Sequence, residues 1–425
     1  MPELLSFRAL RYDASAIADL GDVLCPPYDV IGPSERQRLA QRDPRNAVYV
    51  ELPAADSAHG MSAYDVAAAA FSAWQADGTL IRDDRPLIYV YEQRYSTPDG
   101  GEATCRGFFC RLRLEPYGRA SGVRPHEHTL SAAKEDRFQL MKAVRANLSP
   151  VLFLYDDASG GHAAAALVEE LTTAEPELDA VGPGGLANRM WVADPAESDA
   201  AQSLLDIAGA RPVTIADGHH RYETALRYCA EVSGDDASGS VLALMYEAHS
   251  GGLALRPWHR VLRGVDESGL AAIEQWFDST AKSTPAELLR VLANSPADKA
   301  GIFGLWTADG GRLLEPRPGA DFVPSVAGSE TVDRLDVSVL SATLTRMFGT
   351  PTEELAADGR LTYGTDAAEA IGEVQAHRAD AAFLVRPTPI EEVLAVAEAG
   401  GYMPAKSTLF YPKAATGLVF NPLSD

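Results

Sequence analysis

The chain has 425 residues, 46% of them hydrophobic and 23% charged, with a formal net charge of −23. That excess of acid argues against a nucleic-acid backbone as partner, which needs a basic stripe or patch. Four cysteines in no CxxC spacing exclude a zinc ribbon and a disulfide scaffold, and place the chain in the cytoplasm.

The N-terminus, MPELLSFRALRYD, lacks the apolar core of a signal peptide, and no window reaches the ~18 apolar residues of a membrane span. Membranes are therefore not expected partners. DVLCPPYDVI (22–31) reads as an extended segment stiffened by Pro26-Pro27. Cys25 beside it is either a reactive thiol or a buried small hydrophobe. A short helix opens at Pro33-Ser34, NAVYVELP (46–53) reads as a strand, and an alanine-rich helix covers 60–78.

Residues 87–117 alternate aromatic and polar side chains around Thr97-Pro98-Asp99-Gly100-Gly101, a hairpin signature. A polar loop (118–129) precedes a helix over 132–147, then a buried strand at 151–157. A helix over 162–173 and a strand at 189–194 lead to VTIADGHHRYETAL (213–226), read as strand, turn and helix. Two strands are expected within 241–262, helices over 268–278 and 285–294, and a hairpin at 302–316 turning at Asp309-Gly310. An amphipathic helix spans 335–349 and stops at Gly349. Helices near 367–376 and 390–399 flank a strand at 381–387, before an irregular Pro- and Lys-rich tail. Hairpins mixed with helices, without a regular βαβ series, predict an α+β fold with mixed or antiparallel sheets. Neither GxGxxG, GxxxxGK[ST] nor GxSxG occurs.

The densest chemistry lies at Asp217-Gly218-His219-His220-Arg221. Gly218 permits a tight turn, and the helix start behind it aims backbone N–H groups and a positive dipole end outward. His219, His220 and Arg221 add donors, so the turn suits a phosphate. Asp217 then makes sense as a metal ligand or a general base, or, structurally, as a helix cap. A second cluster holds His126, Glu127, His128 and Arg137; it is a metal site or pocket wall, or else a helix start with Thr129 as cap and Asp136-Arg137 as an ion pair. Tyr28 and Asp29 sit on the stiffened PPYDVI loop and are candidates for a substrate wall. Lys406 and Lys413 in the tail are candidates for anion contacts, or the tail is pinned to the body by Met403, Phe410 and Tyr411.

PPYDVI, HEHT…DR, ADGHHRYETA and MPAKSTLFYPK…GL together resemble a bacterial and archaeal family of unknown function, over nearly the whole chain. The ADGHHR turn also resembles the phosphate-binding turn of the ParB/sulfiredoxin superfamily, whose members include nucleotide-binding DNA-partitioning proteins, sulfiredoxins and free-serine kinases. That resemblance implies a nucleotide-binding core with large insertions. Gly218, His219, His220 and Arg221 match the turn, and Asp217 precedes it as an acid does in the kinase-like members. The turn lacks the sulfiredoxin cysteine, and the chain lacks a recognisable helix-turn-helix. The expectation is a core over 1–230, with an inserted hairpin region near 85–160, and a second α+β domain over 231–425 whose tail returns to the site.

The expected function is phosphoryl transfer from ATP or ADP, with Mg²⁺, to a small hydroxylated metabolite such as an amino acid. Asp217, Glu127 and His126 would be catalytic, with Asp217 touching the metal. Gly218 through Arg221, Arg137, Lys406 and Lys413 would hold the nucleotide, and Tyr28, Asp29 and His128 the acceptor. Two alternatives remain open: a nucleotide or phosphometabolite sensor on the same turn, and a metal-dependent hydrolase using His126, His128, His219 and His220. A homodimer is compatible with all three.

Overall fold

A computed structural model describes residues 1–97, 100–118, 120–129, 131–232, 237–265, 267–282, 284–296, 299–320 and 330–424. The chain forms two units. The first comprises Met1–Pro125, Thr129–Ala254 and Pro412–Asp425; the second comprises His126–His128 and Leu255–Tyr411. Both mix helices with sheets, so the fold is α+β. Among the described residues, no helix is long and apolar enough to cross a membrane.

The first unit is built on a nine-stranded mixed sheet. Its order is Val123–Arg124, Val213–Asp217, Val151–Tyr155, Ser240–Glu247, Glu102–Arg113, Ile88–Ser96, Ala187–Ala193 and Leu178–Val181, with Leu4–Leu5 beside Glu102–Arg113. Val151–Tyr155 and Ser240–Glu247 are apolar almost throughout and buried along their whole length, the pattern of strands covered on both faces. Ile88–Ser96 and Glu102–Arg113 form the expected hairpin, paired from Tyr89↔Phe109 to Ser96↔Glu102. Pro98 and Asp99 of its turn lie outside the described residues. Helices His162–Leu171, Asp199–Gly209 and His219–Glu231 pack on this sheet through Val168, Leu204, Leu205 and Tyr222. A second core gathers Val23, Leu39, Val48, Phe71, Trp74, Leu140 and, from the tail, Phe420.

The helix Ala63–Ala76 starts at a reciprocal cap between Ser62 and Asp65. NAVYVELP is not a strand: Val48–Glu51 is a short helix. Asn46 decides this, because its Oδ1 accepts from Val48 N at 2.9 Å while its amide donates to Asp22 O and Leu24 O. A short polar side chain thus offers the backbone a local alternative to pairing. The 22–31 segment is likewise not simply extended. Leu20–Val23 is a helical turn capped by Asp19, and Tyr28–Val30 is a 3₁₀ turn after the prolines.

The second unit carries a six-stranded sheet in the order Phe277–Lys282, Gly310–Pro316, Phe303–Thr307, Ala381–Leu384, His259–Leu262 and Leu361–Gly364. Helices Pro285–Ala293 and Ala367–Gln375 cover it through Leu288, Leu292, Ile371 and Val374. The helix expected over 268–278 is cut short: Glu267–Ala271 runs into a 3₁₀ turn, Ala272–Gln275, and Phe277–Lys282 is a strand. Its partner Gly310–Pro316 lies some 30 residues on, beyond the reach of local periodicity. Asp336–Phe348 ends as expected at Gly349, whose φ of 64° is left-handed.

Candidate functional site

Val213–Asp217 is buried up to Ala216, and its register against Val151–Tyr155 shifts between Ile215 and Asp217. Such an irregularity re-aims the last side chain of a strand. Gly218 follows with φ 97°, and the helix His219–Glu231 begins, its first bond running from Tyr222 N to Gly218 O. A Cβ at position 218 would stand 3.0 Å from Arg221 Nε, so the missing side chain makes room for the guanidinium as well as for the turn.

Asp217 is the hub. Its Oδ2 accepts from Arg221 Nη2 at 2.5 Å, and its Oδ1 accepts from Lys413 Nζ at 2.5 Å. Arg221 Nη1 also donates to the Pro150 carbonyl. All three side chains are largely buried, at 18%, 9% and 14% exposure. Burial by itself would raise the Asp217 carboxyl, but Lys413, then Arg221, outweigh it and hold the group far below the usual carboxylate range. Burial pulls Arg221 down, and Asp217 together with Asp29, Tyr28 and Glu51 more than restores it.

Lys413 is fixed by its neighbours. Its carbonyl accepts from Gln93 Nε2 at 3.0 Å, and three residues on Thr416 pairs through its backbone with Cys25 in both directions. Asn421–Pro422 then pairs with Ala146–Asn147. Cys25 is fully buried and burial pushes its thiol well up, so it packs as a small hydrophobe.

Around this hub lies a second layer. Tyr28 N donates to Glu51 Oε1 at 3.1 Å, and the Arg137 guanidinium lies 4.1 Å from the Tyr28 ring centroid. Arg137 donates to Glu51 O at 2.7 Å and to Asp136 Oδ2 at 2.6 Å. Glu51 is 1% exposed and also accepts from Ser149 Oγ at 2.8 Å. Burial pushes the Tyr28 phenol up to about 12, with Asp29 adding to the rise and Arg221 opposing it. Glu51, Arg137, Asn147, Ser149, Arg221 and Thr224 share the lining of a cavity of about 40 Å³. The Thr224 hydroxyl there has no partner among the described residues, and the space suits ordered water. His220 is pulled below the usual imidazole range by burial, against the pull of Glu223 and Asp29. Glu223 itself accepts from Thr129 Oγ1 at 2.7 Å and Lys134 Nζ at 2.8 Å.

The first unit therefore brings together Tyr28, Asp29, Arg137, the 217–221 turn and Lys413. His126, Glu127, His128 and Lys406 belong to the second unit. There, His126 is buried with Nε2 3.3 Å from Thr408 Oγ1, and its carbonyl accepts from Met403 N. Glu127 bridges Met403 through the backbone, and His128 stacks on Tyr402 at 4.1 Å. Lys406 adopts φ 58° and lies 4.6 Å over the Trp258 ring. Among the described residues, neither histidine pair falls within its own unit into a group of three metal-type side chains with converging ligand atoms.

Sequence reasoning missed Glu51, Ser149 and Glu223. Glu51 was hidden by the strand reading of NAVYVELP, although a lone acid in that apolar run was a usable signal. Chemically, the hub places two cations against one carboxylate at a helix start, a surplus of positive charge that suits an anion.

Residues 4–338 match DUF1015, described as a protein of unknown function, and the chain belongs to that family. No curated protein matches it. Solved structures similar to it include a free serine kinase in complex with AMP, at 12% identity and TM-score 0.37, covering 68% of this chain and 83% of that one. A conserved hypothetical protein from Pyrococcus furiosus matches at 13% identity and TM-score 0.35, covering 68% and 87%. SbnI from Staphylococcus aureus, truncated at its C-terminus, matches at 14% and 0.36, covering 71% and 84%.

Proposed function

We propose that this member of a family of unknown function is a nucleotide-dependent phosphotransferase acting on a small hydroxylated metabolite, with the Asp217–Arg221 turn and Lys413 as its phosphate-holding part. The observation that carries the reading is the pair of cations converging on Asp217 at the start of a 13-residue helix. The amides ahead of Tyr222 and the remaining N–H groups of the Lys413 ammonium supply donors, while Arg221 braces the turn from below. In this reading the first unit is a ParB/sulfiredoxin-like core.

Asp217 orients Lys413 rather than removing a proton, because a carboxyl held so far below the neutral range is a weak base. Asp29, exposed and close enough to act on His220 and Arg221, is the better candidate to accept a proton from the acceptor hydroxyl. Both Asp217 oxygens are engaged by cations, so Mg²⁺ fits here as an ion carried by the nucleotide phosphates, where it neutralises charge on the transferring group. The reading needs none of His126, Glu127, His128 and Lys406.

The saturation of Asp217 also favours a second reading, a sensor that binds phosphate without turnover. Calorimetric titration with ATP, ADP and CTP, with and without Mg²⁺, tests both. Saturable binding that falls at least tenfold in Lys413→Ala supports the site; no binding below millimolar concentrations ends both readings. Phosphoryl transfer across a panel of hydroxylated metabolites supports the enzyme, and binding without transfer supports the sensor.

A further inference from the structure

We infer that the first unit holds a divalent transition-metal site, of the Zn²⁺ class, formed by Asp156, Glu247 and His249. These three side chains each offer one ligand atom, and the atoms all lie within 4.8 Å of one another. The topology explains why they meet. Val151–Tyr155 and Ser240–Glu247 run parallel with Glu247 opposite Tyr155, so Asp156 and Glu247 emerge from neighbouring strands at the same end of the sheet. His249 follows two residues later. Asp217 pairs instead with Leu152, three residues back along the same strand. At roughly 3.3 Å per residue this site is therefore about 10 Å further along the strand than the phosphate-holding turn, and it does not rest on the function proposed above.

A second observation points to a ligand. Glu247 is 95% buried, with a relative exposure of only 5%, and its Oε1 has no hydrogen-bond partner among the described residues. Its Oε2 accepts from His249 N at 2.7 Å, which folds the chain back so that the imidazole approaches the carboxylate. No arginine or lysine ion pair to Glu247 is found among the described residues. An uncompensated buried carboxylate is expensive, and a cation removes that cost.

The neighbours divide cleanly. Asp157 spends its carboxylate on the Ser159 and Ala164 amides and the Ser159 hydroxyl, as a structural cap. Asp156 is held by Arg211 through Oδ2, and Oδ1 is the atom left to a metal. Left-handed Gly161 passes over the site, where a Cβ would stand 2.8 Å from Glu247 Oε2. One imidazole with two carboxylates is a donor set that favours Zn²⁺, then Mn²⁺, over Mg²⁺.

The test is competition of the full-length, chelator-stripped protein with a chromophoric zinc chelator. The expected result is one equivalent of Zn²⁺ per chain, bound more tightly than Mn²⁺ or Mg²⁺. His249→Ala, at an exposed position, should weaken uptake at least tenfold while leaving the melting temperature of the metal-free protein unchanged. Glu247→Gln should weaken it as much; should that buried variant fail to fold, His249→Ala decides alone. His59→Ala, removing the exposed His59–Asp56 pair, should leave uptake unaltered. No stoichiometric uptake, or uptake equal to wild type in His249→Ala, overturns the assignment.

Discussion

Lys413 and Asp217 lie 196 residues apart in the chain and 2.5 Å apart in space. The contact, with Arg221, holds the Asp217 carboxyl below the usual carboxylate range and fixes where an ammonium stands beside the helix start. Truncating the lysine leaves a buried carboxylate with Arg221 alone. Lys413→Met should therefore cost about 1–3 kcal/mol of stability, short of the full cost of stranding a buried charge because Arg221 remains. Denaturant midpoints measure this, and an unchanged midpoint would show that the contact is energetically idle.

The turn itself is sensitive to a single methyl group. Gly218→Ala forces a residue with a Cβ to φ 97° and drives that carbon against Arg221 Nε. A destabilisation of about 1–3 kcal/mol is expected from backbone strain, together with loss of nucleotide affinity as Arg221 shifts. Melting temperature and calorimetric binding should fall together; a variant that binds normally argues against the turn as phosphate holder.

Asp217 sets part of the acid limb of stability. Its folded-state pKa is depressed, so its contribution is present above the unfolded value near 4 and is lost as pH falls below it. Asp217→Asn should lower stability at neutral pH and flatten its decline below about pH 4. Urea midpoints between pH 2 and 7 would reveal the difference; parallel curves for variant and wild type would refute it.

His259, in the second unit, is 4% exposed, and its Nδ1 accepts from Val385 N at 3.2 Å. That bond requires the neutral ring. Burial, then Arg260, depresses the imidazole to about 4, so stability is full above about 6.5 and falls as pH drops toward 4. The loss approaches about 3 kcal/mol over that window. His259→Gln should remove this pH dependence in the second unit, and an unchanged pH profile would show that the ring titrates normally.

Native thiol reactivity offers a further check. Cys25, Cys105 and Cys110 are buried, with burial pushing each thiol upward, whereas Cys229 is partly exposed. A thiol reagent should modify Cys229 first, and rapid labelling of Cys25 would contradict its packed position between Pro26 and Thr416.

Much of the architecture was legible because it is written locally. The Ile88–Ser96 and Glu102–Arg113 hairpin, the Gly310 turn and the Gly349 helix stop each follow from residues within a few positions of one another. The strand–turn–helix at 213–226 was legible for the same reason, since only Gly218 tolerates that backbone. NAVYVELP failed because a side chain, Asn46, overrode the alternation, and Phe277–Lys282 failed because its partner strand lies beyond the local window.

The sequence by itself determined that an acid, a glycine, two imidazoles and an arginine would share one helix start, and that the chain would be α+β. Only the tertiary structure decided which cations that acid meets. Spacing along the chain carries no information on which distant cation reaches a carboxylate. Burial beside Lys413 and Arg221 holds the Asp217 carboxyl far below the usual carboxylate range, because a low-dielectric setting rewards the charged form only when opposite charges are in contact. The same holds for Asp156, Glu247 and His249, which parallel strand pairing alone brings to one end of a sheet.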